Sequence, residues 1–347
     1  MNGWAAGFCA AALLLFSPEA MAAASQAAEV FVRGVMPALF PMMVLGKLMR
    51  LPQKDEHSFP GAVIMAFAGG SPASAQRVRL LYDAGRVPQR VLEPLLAATG
   101  VMSPMFFVGT LAGWTGLRAA CWAMLAAHWL GALITAGLWA LGRELWKSGQ
   151  TQAGRMCTAG RQPPGASRPA GAPDGREPLG AMLPRAVTEA AQALLAVCGS
   201  MMLFSILAGV ARAALLRLWP AWAASHARAL SVLWALLETG GGAAAVLGSY
   251  EAPPLMLLCG LCSFGGLSIW LQNLLFVGKC VRPAKLLAMR ALHGAVSMGL
   301  FAAIVRLWPA LTAAFVAQGA QAVRETGVPA LVPLLLSGLA LCRRRAS

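Results

Sequence analysis

Apolar residues occur in this chain in blocks long enough to cross a lipid bilayer. The hydrocarbon core of a bilayer is about 30 Å thick, a distance that a helix of about 20 apolar residues spans. The clearest block, Ala119 to Leu141, contains no Lys, Arg, Asp or Glu and a single histidine, His128. Further blocks cover residues 4–16, 189–211, 229–247, 254–278, 286–305 and 328–342. The pattern predicts an all-α, polytopic membrane protein.

Charged residues are rare and lie mainly between these blocks. Of 347 residues, 58% are hydrophobic and 12% are charged, whereas an average soluble domain has about 25% charged residues. The formal net charge is +15, and cationic connections beside membrane spans meet anionic lipid on the cytoplasmic face. The sequence therefore indicates a multi-pass protein of the cell membrane. Its partner is the lipid bilayer, not nucleic acid, which requires a basic folded face with stacking aromatics.

The two ends of the chain are predicted to be transmembrane. The first 32 residues contain no Lys or Arg, so the basic start of a secretory signal is missing. Ala20-Met21-Ala22 has the form of a cleavage site, and cleavage therefore stays open. We favour an uncleaved transmembrane helix over residues 1–27 with its N-terminus outside. Residues 311–347 are predicted to form a final transmembrane helix and a basic, cytoplasmic tail.

A polar segment divides the chain into two halves of similar length. Residues 143–180 are rich in Pro, Gly, Ser and Arg and bury too little apolar area to fold alone. They predict a disordered, basic cytoplasmic linker. The membrane halves then cover residues 28–142 and 181–310, which suggests a search for an internal repeat.

The two halves share a short motif. "FAGGSPASAQ" (Phe67–Gln76) aligns with "SFGGLSIWLQ" (Ser263–Gln272). The shared residues are a glycine pair and a glutamine six positions after it: Gly69, Gly70 and Gln76 in the first half, and Gly265, Gly266 and Gln272 in the second. A basic stretch with a proline follows each motif. We therefore predict two related helical halves.

Glycine and proline at these motifs predict interrupted helices. Glycine permits backbone that other residues cannot adopt, and proline after Ser71 or Ser103 removes a helical hydrogen bond. Broken helices at matching places in two halves are typical of a transporter's binding site, although glycines also permit close helix packing. If the linker and the tail are both cytoplasmic, the second half crosses an even number of times, which favours a re-entrant segment within Pro254–Gly278. A similar device in the first half would make Gly61–Ala75 re-entrant.

Polar residues at membrane depth complete the candidate site. Glu238 follows an apolar run and precedes Thr239 and three glycines, so its carboxylate is a candidate to hold a proton, a cation or a hydroxylated solute. The alternative is a helix-end carboxylate that faces interfacial water. His128 and His293 form either structural hydrogen bonds or a proton relay. Gln272 and Asn273 either join helices or line a cavity.

The sequence predicts no enzyme and no cofactor. It contains no GxSxG, HExxH or Walker-type motif. Cys259 and Cys262 form a CxxC in an apolar segment without a second ligand pair. We therefore predict no metal site.

Several motifs occur in the order found in one family. They are "RGVMPALFPMMVLGKLM" (Arg33–Met49), "GGSPASAQRVRLLYDAG" (Gly69–Gly85), "MSPMFFVGTLAG" (Met102–Gly113), "HWLGA" (His128–Ala132), "LLETGGG" (Leu236–Gly242), "FGGLSIWLQ" (Phe264–Gln272) and "RPAKLLAMRALHG" (Arg282–Gly294). Over residues 28–307 the chain resembles the YlbJ-type sporulation integral membrane proteins. These belong to the nucleoside recognition or Gate-domain group, which includes parts of concentrative nucleoside transporters and of the ferrous iron transporter FeoB.

The resemblance implies a transporter-like fold with two Gate-like halves and a role in sporulation. The chain departs from the family where "GGSPASAQ" replaces a "GYPAGAK"-like motif and "TGVMSPMF" (Thr99–Phe106) lacks the usual asparagines. Two functions are therefore hypotheses. The first is a permease for a small solute or ion. The second is a non-transporting membrane protein that assembles with itself or with spore-envelope proteins.

Overall fold

The computed structural model is a bundle of helices, and it describes residues 3–48, 59–83, 85–149 and 179–308. No strand occurs within these ranges. Among the described residues, four helical stretches are long and apolar enough to cross a membrane: Arg118–Arg143, Met182–Leu218, Leu255–Cys280 and Pro283–Leu307. The prediction of an all-α, polytopic membrane protein is confirmed.

The helices before the linker fall into two groups. The N-terminal group contains α1 (Gly3–Leu15), α2 (Ser17–Val30), a π-helical segment (Phe31–Val35) and α3 (Met36–Leu48). The next group contains α4 (Phe59–Gly69), α5 (Ala73–Asp83), α6 (Gln89–Thr99), a π-helical segment (Phe106–Leu111), α7 (Ala112–Thr115) and α8 (Arg118–Gly149). The single N-terminal span predicted over residues 1–27 is two helices, and α2 continues past residue 27.

The helices after the linker begin with the longest one. They are α9 (Leu179–Leu218), α10 (Pro220–Ser225), α11 (Ala227–Leu237), α12 (Thr239–Ser249), α13 (Leu255–Phe264), α14 (Gly266–Val277), a 3-10 turn (Gly278–Cys280) and α15 (Pro283–Leu307). Most of the predicted linker, from residue 150 to 178, lies outside the described residues. So does all of the predicted C-terminal segment, 311–347.

Two long helices, α8 and α15, form the centre of the bundle and run antiparallel. Gly131 of α8 packs against Ser297 of α15, because a residue without a side chain lets two helix backbones approach. Glu93 of α6 accepts hydrogen bonds from Lys285 Nζ at 2.8 Å and from Arg143 Nη1 at 3.3 Å. This ion-pair cluster joins the start of α15 to the far end of α8, and we call it the basic end.

The pair α4 and α5 forms a hairpin that enters from the basic end. Val63 of α4 belongs to the same apolar cluster as Val277 and as Ala136 of α8. Further along α4, the Phe67 ring stacks on Trp129, with 5.0 Å between ring centres. Trp129 lies about two turns of α8 further from the basic end than Ala136 does. After the turn, α5 returns until Arg79 donates a hydrogen bond to Val277 O at 2.9 Å. This first hairpin occupies the place of the re-entrant segment predicted at Gly61–Ala75.

The pair α11 and α12 forms a second hairpin, which enters from the opposite end. The Arg228 guanidinium at its start lies 5.3 Å from the ring centre of Tyr250 at its finish. Val246 packs in the apolar cluster that contains Cys121 and Phe301, far from the basic end. Each helix has 11 residues, about 16 Å at 1.5 Å per residue, which is half of a membrane crossing.

The position of the second re-entrant element differs from the expectation. The sequence placed it within Pro254–Gly278, whereas Leu255–Cys280 is long enough to cross. At Gly265, with φ at +80°, the amide still bonds to Leu261 O, so the chain bends and continues. Glu238 adopts extended backbone, with φ −139° and ψ 120°, and there the chain reverses. By element order, the first hairpin corresponds to α11–α12 and not to the second Gly-Gly motif. The internal repeat itself stays a prediction.

The tight packing inside the second hairpin gives a direct test of this fold. A Cβ at Gly242 would lie 2.5 Å from Ala235 N and 2.8 Å from Trp234 C, whereas a Cβ at Gly248 of the same helix meets nothing within 4 Å. Backbone atoms cannot move aside, so we expect Gly242→Ala to lower the free energy of unfolding by about 1–3 kcal/mol. Gly248→Ala is the matched control and should be neutral. Thermal unfolding followed by tryptophan fluorescence measures both, and equal melting temperatures would contradict the hairpin.

Candidate functional site

The tips of the two hairpins line one cavity in the middle of the bundle, which we call the central cavity. Its water-accessible volume is about 40 Å³. One side is apolar and includes Val35, Met102 and Met201. The polar side chains that line it are Ser71, Ser103, Glu238, Thr239, Ser268 and Gln272. Five of these six were candidate site residues from the sequence, and Ser268 is new.

Four hydroxyl groups at this cavity have no hydrogen-bond partner within the described part of the chain. They belong to Ser71, Ser103, Thr239 and Ser268. A buried hydroxyl without a partner costs about 1–3 kcal/mol. Hydroxyls donate and accept with equal ease, so the cavity suits water, a hydroxylated solute or a small ion.

Glu238 is the one acidic side chain among the residues that line the central cavity. Its carboxylate accepts hydrogen bonds from Gly240 N at 2.7 Å and from Gly241 N at 2.5 Å. It is therefore the N-cap of α12, where a negative charge meets the positive end of the helix dipole. The residue is only 4% exposed, so it does not face interfacial water. Each carboxylate oxygen keeps a lone pair for a ligand.

Glycines bring the hairpin tips against the breaks in the neighbouring helices. Gly70, with φ at +69°, packs against the backbone of Ser103, and Gly266, with φ at +68°, packs against Thr239. A side chain at either position would be strained and would collide with these neighbours. A Cβ at Gly69 would meet nothing within 4 Å. The backbone conformation and the close packing of the first motif therefore require glycine only at its second position, Gly70.

Two predicted site residues serve the scaffold instead of the cavity. Gln272 Nε2 donates to Ser200 Oγ at 2.5 Å, which joins α14 to α9 while the residue still borders the cavity. Gln76 is half-buried on α5 and lines neither the central cavity nor a smaller cavity beside Arg290.

The geometry around His128 assigns its tautomer. Its Nε2 accepts from the backbone amide of Met102 at 2.9 Å, so the proton of the neutral ring is on Nδ1, which faces Ser263 Oγ at 2.8 Å. His293 Nε2 lies 2.9 Å from His128 O and must donate, because a carbonyl oxygen only accepts. The ring of His128 therefore satisfies the interrupted backbone at Met102, and this geometry favours the structural interpretation over a relay.

Sequence reasoning missed a buried side chain that joins two helices, Arg290. Its Nε donates to Phe264 O at 2.8 Å, at the end of α13, and its Nη1 donates to Gly100 O just past the end of α6. A single guanidinium thus binds the carboxyl ends of two interrupted helices, where cations are favoured. Its position is the signal that identifies it: Arg290 is the eighth of 25 residues, inside the helix, whereas Lys285 and Arg306 of the same helix lie near its ends.

Asn273 and His293 lie at a different place. They line a second, smaller cavity with Ser74 and Arg290, and the two cavities share no lining residue. In the part of the chain that the structure describes, no group of three or more His, Cys, Asp or Glu residues is placed to hold a metal ion.

Comparison of the chain with protein-family models, with curated proteins and with solved structures finds no match in any of the three. A function for this protein therefore has to be inferred from the arrangement of its residues.

Replacing Arg290 tests its role in joining the two interrupted helices. Lysine has one nitrogen and cannot reproduce the planar, forked geometry, so we expect Arg290→Lys to destabilise the protein by about 1.5–3 kcal/mol, the contribution of one hydrogen bond from a charged group. Arg306→Lys, in the exposed last turn of the same helix, is the control. If both variants unfold at the wild-type temperature, Arg290 does not hold the breaks together.

Proposed function

We propose that this integral membrane protein is a permease for a small solute or ion and that the central cavity is its site. The observation that carries the proposal is the meeting of two half-length hairpins from opposite ends of the bundle at one cavity, whose largely apolar wall carries six polar side chains. Such an arrangement has one gate on each side of a fixed site, which alternating access requires. The resemblance to the Gate-domain group supports the same function.

The size of the cavity limits what it holds in this conformation. A buried water needs about 10–15 Å³ of accessible volume, so about 40 Å³ accommodates two or three waters or one small ion. A nucleoside or amino acid requires a hairpin to move outward. The hydroxyl groups and the carboxylate on its otherwise apolar wall suit a hard cation, a proton on Glu238 or a solute that carries hydroxyl groups.

The second candidate is a non-transporting membrane protein that assembles during sporulation, with itself or with spore-envelope proteins. Two observations favour it. The cavity is small, and both oxygens of Glu238 already accept backbone hydrogen bonds. The link to sporulation rests on the family resemblance alone.

Access to the cavity distinguishes these two functions without knowledge of the substrate. We expect Ser268→Cys, in a chain without other cysteines, to react slowly with a charged, membrane-impermeant methanethiosulfonate reagent added to either face of proteoliposomes. A chain that keeps only Cys262 is the matched control, because that thiol is fully buried in an apolar cluster and lines neither cavity. Failure of Ser268→Cys to react from both faces would exclude alternating access.

Removal of the charge on Glu238 tests its contribution to transport. We expect the wild-type protein in proteoliposomes to move at least one of sodium, protons, uridine and alanine. Glu238→Gln should lower that flux at least about tenfold, equivalent to about 1.4 kcal/mol, because the amide keeps the shape of the cap but not its charge. The exposed residue Glu251 provides the control, Glu251→Gln. If the wild type moves none of the four and none raises its melting temperature, the permease proposal is wrong.

A further inference from the structure

A second buried cavity lies between α5, α6, α14 and α15, and we call it the arginine cavity. Its water-accessible volume is about 10 Å³, which is the lower limit for one water molecule, so a larger monoatomic ion enters only if the lining side chains move slightly apart. Its polar lining consists of Ser74, Asn273, Arg290 and His293, and the remainder is largely apolar. The exposed fractions of these four residues are 6%, 3%, 3% and 1%.

Each of the four side chains presents an unpartnered polar atom, as judged over the described residues. These atoms are Ser74 Oγ, Asn273 Oδ1, Arg290 Nη2 and His293 Nδ1. Four orphaned polar atoms around a space of this size are a built site, because buried polar groups are otherwise hydrogen-bonded almost without exception. The site shares no lining residue with the central cavity, and the proposal below does not depend on transport through that cavity.

The charge in the arginine cavity is positive. Arg290 has no carboxylate partner in any ion pair found within the described ranges, and its bonds to Gly100 O and Phe264 O neutralise it only through partial charges. Its third donor group, Nη2, has no hydrogen-bond partner among the described residues. A buried charge without a full counter-ion attracts an anion.

The hydrogen bonds of His293 determine how an anion is accommodated. Its Nε2 donates to His128 O, so the neutral ring offers only a lone pair at Nδ1, which repels an anion. A proton on Nδ1 turns that atom into a donor. The hydroxyl of Ser74 rotates freely, and the amide of Asn273 can be reversed to present its NH₂ group.

We propose that the arginine cavity binds one monoatomic halide, with chloride as the natural ligand, together with one proton on His293. The anion replaces a water molecule and accepts hydrogen bonds from Arg290 Nη2, Ser74, Asn273 and the protonated ring. The cavity excludes polyatomic anions by size. Chloride and the proton enter together because each removes the electrostatic penalty of the other.

The surroundings of His293 leave no other group to supply the proton linkage. On its own helix the nearby charge is Arg290, which opposes protonation until the anion is present. On α8 the neighbouring ring is His128, at 4.7 Å between ring centres, and its tautomer is fixed by Met102 and Ser263. From α13, Gly260 and Phe264 pack against the adjacent turn at Gly294. The lining residues of α5, α6 and α14 carry no titratable side chain.

Halide binding to the full-length protein in nanodiscs tests the proposal. The melting temperature, read from tryptophan fluorescence, is titrated with sodium chloride against sodium gluconate at constant ionic strength. We expect chloride to stabilise the protein and gluconate not to. Because one proton is bound per anion, the apparent affinity should fall about tenfold for each unit of pH above neutrality. In crystals soaked with bromide, the anomalous signal should lie between Arg290 and Asn273.

Variants separate the site from general salt effects while leaving Arg290 in place. Ser74→Ala should weaken chloride binding about tenfold, because it removes one donor to a charged group. His293→Gln keeps an N–H for His128 O but cannot gain a proton, so the pH dependence should disappear. Ser297→Ala, buried one turn further along α15 and outside the cavity, should bind as the wild type does. Equal stabilisation by gluconate and chloride, or bromide absent from the cavity, would mean that it holds water alone and would overturn the proposal.

Discussion

The need to satisfy interrupted backbone inside a bilayer governs this structure. Lipid offers no hydrogen bonds, so every helix break at membrane depth requires a partner from the protein. Arg290 supplies donors to the carbonyls at Gly100 and Phe264, and His128 supplies an acceptor to the amide of Met102. Glu238 accepts from the exposed amides of α12. All three of these buried ionisable side chains in the bundle centre therefore have a structural reason to be there.

These partners divide the molecule into a scaffold and two inserted hairpins. The scaffold is the antiparallel pair α8 and α15, joined by the tilted rings of His128 and His293 and by Glu93 at the basic end. The tips of the hairpins meet their neighbours through backbone at Gly70 and Gly266, whereas the rest of each hairpin packs side chains into the apolar clusters. A displacement limited to a tip therefore disturbs less apolar packing than the withdrawal of a whole hairpin.

Much of this organisation was predictable from residue types, but the pairing of elements was not. Block length and composition predict the crossings, and the Gly-Pro interruptions together with Glu238 locate the central cavity. The two Gly-Gly motifs differ in local structure, because Gly70 lies in a reversing turn and Gly265 in a bend that continues. The periodicity of apolar residues carries no information about that difference. It depends on whether the next helix reverses and packs against the preceding helix or continues in the same direction and packs against another element. Arg290 escaped notice because its ligands are carbonyl oxygens, which leave no mark in a sequence.

The two cavities lie on opposite sides of the same three elements. Ser71, in the turn of the first hairpin, borders the central cavity, and Ser74, at the start of α5, borders the arginine cavity. The consecutive residues Gln272 and Asn273 of α14 are divided in the same way, and so are Ser103 and Gly100 at the break after α6. Packed elements move as units and not atom by atom. Under the proposed permease function, an outward movement of the first hairpin would therefore also remove Ser74 from the arginine cavity, and the proposed halide there would favour the closed state.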